Sequence, residues 1–167
     1  MSGLQERVST GNANRVPAGD DAEGKAATGI GRWEHFAHMA DIGVRGIGPS
    51  REIAFAQAAQ ALCAAITEPA LVCAAILFEV DCKANEDELL LVDWLNALIG
   101  EMSEHRLIFS KFEVSISGVQ LHGKAWGEVV DPRRHHPAVE AKGATLTELK
   151  VLRNADGLWT AQCVVDV

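Results

Sequence analysis

LIFSKFEVSISGVQLHGKAWGEVV, Leu107 to Val130, alternates apolar and polar residues on both sides of Gly118. Strand side chains point to opposite faces in turn, so each run reads as a half-buried strand, with the turn at Gly118. The stretch is a β-hairpin, and from Arg106 onward the chain becomes sheet. A second hairpin follows, with ATLTELKVLR (144–153) and LWTAQCVVDV (158–167) flanking the turn residues NADG (154–157). Its last strand runs to the C-terminal residue. Trp159, Ala161, Cys163, Val165 and Val167 form the apolar set expected to face the core, while Thr160, Gln162, Val164 and Asp166 form the more polar face.

On the N-terminal side of the first hairpin the period changes. Leu91, Trp94, Leu95, Leu98 and Met102 recur at helical spacing, and Asn85 with Glu88 has the spacing of a capping box at the start of that helix. Before it, Ala74–Cys82 reads as a short half-buried strand. Further back, Ser50 is placed to cap a helix whose stripe is Phe55, Ala59, Leu62 and Ile66, ending before Pro69. Two helices among hairpins, with no repeat of solenoid length, predict an α+β fold in which both helices cover one side of a largely antiparallel sheet. Met1 to Gly31 has too little apolar content to repay ordering and reads as a flexible tail. Residues 32–167 then form a single domain.

Bulk composition narrows the function classes. With 48% hydrophobic and 23% charged residues, the chain has the make-up of a soluble globular protein. The apolar run ALVCAAILF (70–78) is too short to span a bilayer, and the N-terminus lacks a signal-peptide h-region, so a cytoplasmic location is expected. A formal charge of -8 opposes a direct non-specific grip on nucleic acid. Cys63, Cys73, Cys82 and Cys163 form no C-x-x-C pair and lie in apolar stretches, as buried free thiols do.

Two stretches concentrate polar chemistry. In WEHFAHMADIGV (33–44), Asp41 precedes Gly43, where backbone can turn or approach closely. Asp166 and the terminal carboxylate of Val167 place two anions one residue apart, and such groups repel unless a cation or donors lie nearby. If the strand carrying Asp41 lies beside the last strand, Asp41 and Asp166 can share a hard cation such as calcium or magnesium; otherwise the chain end is a solvated terminus. His35 and His38 have odd spacing, which on a strand sends their rings to opposite faces. The second stretch, GEVVDPRRHHP (127–137), gathers Glu128, Asp131, Arg133, Arg134, His135 and His136, with Lys142 just beyond. It reads either as a solvated loop whose charges pair locally or as a polar recognition surface stiffened by Pro132 and Pro137. The sequence contains no phosphate-cradling glycine loop, nucleophile elbow or deaminase zinc signature.

HMADIGV (38–44), IAFAQAAQALCAAIT (53–67), LLLVDWLNALI (89–99), LIFSKFEV (107–114), GEVVDPRRHHP, KGATLTEL (142–149) and VVDV (164–167) resemble, in order and spacing, the archease family. That resemblance implies strand-helix-strand-strand modules and a protein that is not itself an enzyme. It implies an accessory factor of the RtcB-type RNA-splicing ligase in tRNA splicing or RNA repair, promoting guanylylation and multiple turnover, with RNA engaged only through that partner. It also implies a divalent cation, usually assigned as calcium, held by Asp41, Asp166 and Val167. On the recognition-surface reading of the charged loop, Glu128, Asp131, Arg134, His135 and Lys142 are the residues expected to meet the partner. Met39 stands where the family usually has threonine, and Thr145-Leu146-Thr147 where it has Thr-Tyr-His. Two other classes compete with this reading. One is a small metal-dependent hydrolase, with Asp41 and Asp166 as ligands and His38 or His135 as base. The other is a general chaperone or interaction module, which requires an exposed apolar patch.

Overall fold

The Ser50 side chain accepts a hydrogen bond from the Ile53 N–H at 3.2 Å and opens helix α1, Arg51–Ile66, in a computed structural model that describes residues 24–25 and 30–167. Thr67 ends α1 by leaving helical geometry, its N–H bonded back to the Cys63 carbonyl. Ahead of α1 come β1 (Gly24–Lys25), β2 (Arg32–His38) and β3 (Asp41–Gly48). After it come β4 (Ile76–Lys83), helix α2 (Asp87–His105), β5 (Leu107–Ser117) and β6 (Gln120–Val129). The chain closes with a four-residue helix α3 (Pro132–His135), β7 (Gly143–Ala144), β8 (Lys150–Arg153) and β9 (Trp159–Asp166).

The fold is α+β, as predicted, but the strands divide into two antiparallel sheets. The six-stranded sheet runs β1-β2-β3-β9-β7, with β8 also paired to β9, and the three-stranded sheet runs β4-β6-β5. Helix α1 packs on β3 and β9 of the first and β5 of the second; α2 packs on β4 and β6 of the second and β7 and β8 of the first. The two helices thus join the sheets instead of lining one side of one sheet. The Trp94 indole N–H, fully buried, donates to the Phe55 carbonyl at 3.2 Å and ties α2 to α1.

Four local expectations change. Helix α2 starts at Asp87 with Glu86 as its cap residue and no side-chain cap bond, so the Asn85–Glu88 box does not form. Asp87 instead accepts from Arg51 of α1 at 2.6 Å. The segment read as one strand over 144–153 is broken: Thr145 N donates to the Val164 carbonyl, and Val164 N donates to the Thr147 carbonyl. Ala144 pairs with Val165 but Lys150 pairs with Gln162, so residues 145–149 loop out between β7 and β8 opposite only Cys163 and Val164. The polar face assigned to the last strand is largely covered: Gln162 is buried between Arg45, which donates to its side-chain oxygen, and the Glu148 carbonyl, which accepts from its side-chain amide, and Ala161 to Val165 are all buried. Finally, Cys73 is exposed, whereas Cys63 and Cys163 are buried thiols that desolvation pushes up to about 12.

Gly24 and Lys25 pair with Trp33 and Arg32 inside the span read as a tail; the rest of that reading, apart from Ile30 and Gly31, lies outside the described residues. Among the described residues no helix is long and apolar enough to cross a membrane.

Candidate functional site

Strand β3 runs beside β9, the adjacency on which a shared ion depends. Ile42 pairs with Val165, so the next rung brings Asp41 opposite Asp166. His38 faces Asp41 across the Met39–Ala40 turn. The half-buried Asp41 carboxylate reaches toward the chain end, its Oδ1 3.4 Å from the Val167 N–H. From the other side Gly143 pairs with Asp166, and the Lys142 N–H donates to the Asp166 carbonyl at 2.8 Å. The terminus is therefore held between two strands and is not frayed. The register sets Asp41 opposite Asp166, and Asp41 lies beside Val167, so the oxygens available at this edge are two side-chain carboxylates and those of Val167. Such a set suits a hard divalent cation. Among the described residues no three His, Cys, Asp or Glu side chains form a metal cluster, so a full shell here needs backbone, terminal or water oxygen.

The two histidines of the same stretch separate as strand alternation predicts. His35 faces α1, where its Nε2 lies 2.7 Å from the Ala61 carbonyl and so donates to it. His38 lies on the other face, beside Asp41, with its Nδ1 buried and without a hydrogen-bond partner.

The charges of the 127–137 stretch pair locally. One oxygen of Glu128 accepts from Arg134 at 2.6 Å, from His135 Nε2 at 2.8 Å and from the Cys73 N–H at 2.9 Å. His135 Nδ1 accepts from the Asp131 N–H at 2.8 Å, so the ring proton sits on Nε2, where it donates to Glu128. Asp131 caps α3 by accepting from the Arg133 N–H at 3.0 Å. Arg134 also donates to the Leu71 carbonyl at 3.0 Å, and the Thr67 hydroxyl donates to the His135 carbonyl. His135 is buried, so of the five residues grouped as partner surface it has no face to offer; Asp131, Arg134 and Lys142 are exposed and Glu128 is half-buried. Together these bonds staple α3 to the end of α1 and to the loop before β4.

The Arg134 guanidinium, the Cys73 N–H and His135 hold the Glu128 carboxyl well below its ordinary value near 4.5, against the opposing effect of desolvation. A carboxyl depressed in the folded state contributes stability above its unfolded value and loses it as pH falls through the folded one. Glu128→Gln is therefore expected to lower the melting temperature at pH 7 and to flatten its decline between pH 5 and pH 3, followed by circular dichroism. Parallel melting curves for the two proteins across that range would show that the staple is not set by this charge.

Sequence reading missed two polar groupings, because both depend on cross-strand register. Arg45 bonds Glu34 and donates to Gln162 at 2.7 Å, while Arg32 donates to the other Glu34 oxygen at 2.9 Å. Partial burial pushes Glu34 up, but these arginines outweigh it and leave the carboxyl below its usual value. On the smaller sheet, His122 lies 2.7 Å from Asp81 and 3.3 Å from Glu79, and these carboxylates push the ring up. Period-two alternation was the available signal for either grouping, and it names a face without naming neighbours.

Residues 33–167 match the family described as the Archease protein family (MTH1598/TM1083). The protein archease of Pyrococcus abyssi is 39% identical over 140 residues, covering 81% of this chain and 99% of its own. That of Pyrococcus furiosus is 36% identical with the same coverage. The solution structure of Methanobacterium thermoautotrophicum protein 1598 superposes with a TM-score of 0.71 at 32% identity, covering 81% of this chain and 98% of that one. A crystal structure from Thermotoga maritima, described as an archease and possible chaperone, gives a TM-score of 0.52 at 20% identity, over 79% of this chain and 94% of that one, and bears on the fold alone.

Proposed function

The chain belongs to the archease family, and on that premise we propose that it is an accessory protein that activates an RtcB-type RNA-splicing ligase by promoting its guanylylation and repeated turnover. The observation that carries this reading is the chain end. The family match extends through Val167, and there the fold brings Asp41 and Asp166 to adjacent strands beside a terminus held in the sheet. A divalent cation held by Asp41, Asp166 and Val167 would supply localised positive charge at this edge. The chain's own part is to fix the donors. The ladders from β3 and β7 hold Asp166 from both sides, and Asp41 leans on the terminal amide.

The hydrolase alternative needs a base with a free ring nitrogen. Both nitrogens of His135 are engaged, with Glu128 and with the Asp131 N–H, and the Nδ1 of His38 is buried. His135 therefore has no free ring nitrogen with which to activate a nucleophile, which counts against it as the base of that alternative. The protein alone is accordingly expected to turn over neither GTP nor RNA. Under multiple-turnover conditions it is expected to raise the rate of the cognate ligase, measured as guanylylated ligase and joined RNA. Equal ligase rates with and without the protein would remove the proposal.

A further inference from the structure

His38 ends β2 and pairs across the Met39–Ala40 turn with Asp41, the first residue of β3. On the far side of β3, Asp41 lies opposite Asp166 of β9. Directly paired residues of antiparallel strands share a face of the sheet, with Cβ atoms about 5 Å apart. His38, Asp41 and Asp166 therefore form a row across three strands, a ring at one end and two carboxylates beyond it.

His38 differs from the other histidines held in the fold. His35 donates to the Ala61 carbonyl, His105 lies 3.0 Å from Glu101, His122 lies between Asp81 and Glu79, and His135 lies between Glu128 and the Asp131 N–H. His38 has no such partner among the described residues, although its Nδ1 is buried. A buried polar atom without a partner is costly and rare in folded proteins, and where one occurs a water or an ion commonly completes it.

The carboxylates beside it create a need for an acceptor. Among the described residues no three side chains form a metal cluster, so an ion held by Asp41, Asp166 and Val167 keeps water in its shell. Water on a divalent cation is polarised and donates strong hydrogen bonds, and a neutral imidazole offers one acceptor nitrogen. We infer that His38 is a positioning residue of the ion site: a ring nitrogen accepts a hydrogen bond from a water of the ion's shell and holds that water beside Asp41. Nδ1 leaves its buried position by a half turn of the ring about Cβ–Cγ, a torsion whose preferences are broad and roughly two-fold. The inference rests on the ion reading of Asp41, Asp166 and Val167 above and adds to it the residue that fixes the shell.

The test compares calcium affinity by calorimetry for the wild type, His38→Ala and His38→Asn, with the melting temperature in chelator as the check on folding. Nitrogen-15 spectra of the wild-type histidine rings are recorded with and without calcium. His38→Ala is expected to bind calcium about 10–100-fold more weakly, the loss usual for an outer-shell partner. Its melting temperature in chelator should be unchanged or higher, because the substitution removes an unpaired buried atom. His38→Asn, whose amide oxygen can accept a hydrogen bond near the place of Nδ1, should recover most of the affinity. In the wild type, calcium should move the ring-nitrogen resonances of His38 and leave those of His35 in place. If His38→Ala melts markedly lower in chelator, the asparagine variant and the ring spectra decide in its stead. Wild-type calcium affinity in His38→Ala, or His38 resonances that do not respond to calcium, would overturn the inference and leave the ion reading standing. A wild type that binds neither calcium nor magnesium would overturn both.

Discussion

Gly46→Ala is expected to abolish or nearly abolish the folded state. A Cβ at this position would lie 1.9 Å from the Ala54 carbonyl oxygen, 2.3 Å from the Ala58 nitrogen and 2.9 Å from the Gln57 carbonyl carbon. All three are backbone atoms of α1, so no side-chain rotation can make room. The helix must lift from β3, and with it Phe55 and Leu62 leave the core they share with Val44. Overpacking a core ordinarily costs about 1–3 kcal/mol when side chains can shift. A clash with helix backbone should exceed that range, against a total stability of roughly 5–15 kcal/mol for a domain of this kind. Gly100→Ala is the control, since at this exposed position of α2 the added Cβ meets nothing within 4 Å, and the helix should gain up to about 1 kcal/mol. Urea midpoints of the three proteins read the difference. A Gly46→Ala midpoint equal to wild type would mean that α1 does not approach β3 this closely.

That close approach was not legible in the sequence, because a glycine within a strand pattern equally signals a bulge, a bend or a neighbouring backbone. What was legible followed from local periodicity. The Ser50 cap, the stripe of α1, the hairpin across Gly118 and the terminal strand all rest on residues close in sequence, and all are present. What failed depended on distant partners. Asp87 is drawn to Arg51, 36 residues away, rather than serving a box begun by Asn85. The strands divide between two sheets, and alternation within a strand says nothing of which sheet it joins. The same division runs through the candidate site. The local charges around Glu128 were visible as a cluster, but two of its anchoring bonds come from Cys73 and Thr67, 55 and 68 residues from their partners. Asp41 and Asp166 were recognisable as candidates only on the condition that β3 and β9 be neighbours, a pairing that many strand orders satisfy equally well in sequence and that the fold selects.

Asp41→Ala and Asp166→Ala are each expected to weaken calcium binding by more than about tenfold, a loss that even outer-shell partners of a metal site can produce. The two carboxylates lie on adjacent strands with the chain end between them, so each removes one donor without disturbing the core. Their effect on the metal-free protein has the opposite sign. Like charges held together repel when no cation is present, so neutralising one should leave the melting temperature unchanged or raise it. Calcium at about 100 times its dissociation constant should stabilise the wild type by roughly 2.7 kcal/mol, and most of that increment should vanish in either variant. Ligase activation should fall with it if the ion serves the partnership, and persist if the ion serves only the fold. Extending the chain beyond Val167 separates the remaining possibilities for the third donor. An extension replaces the terminal carboxylate by a peptide, so a comparable loss of affinity assigns the carboxylate, whereas near-wild-type affinity assigns the Val167 carbonyl oxygen. Calcium and magnesium affinities unchanged in both alanine variants would show that Asp41 and Asp166 share no ion, and the pairing of the terminus would then have to be explained without a metal.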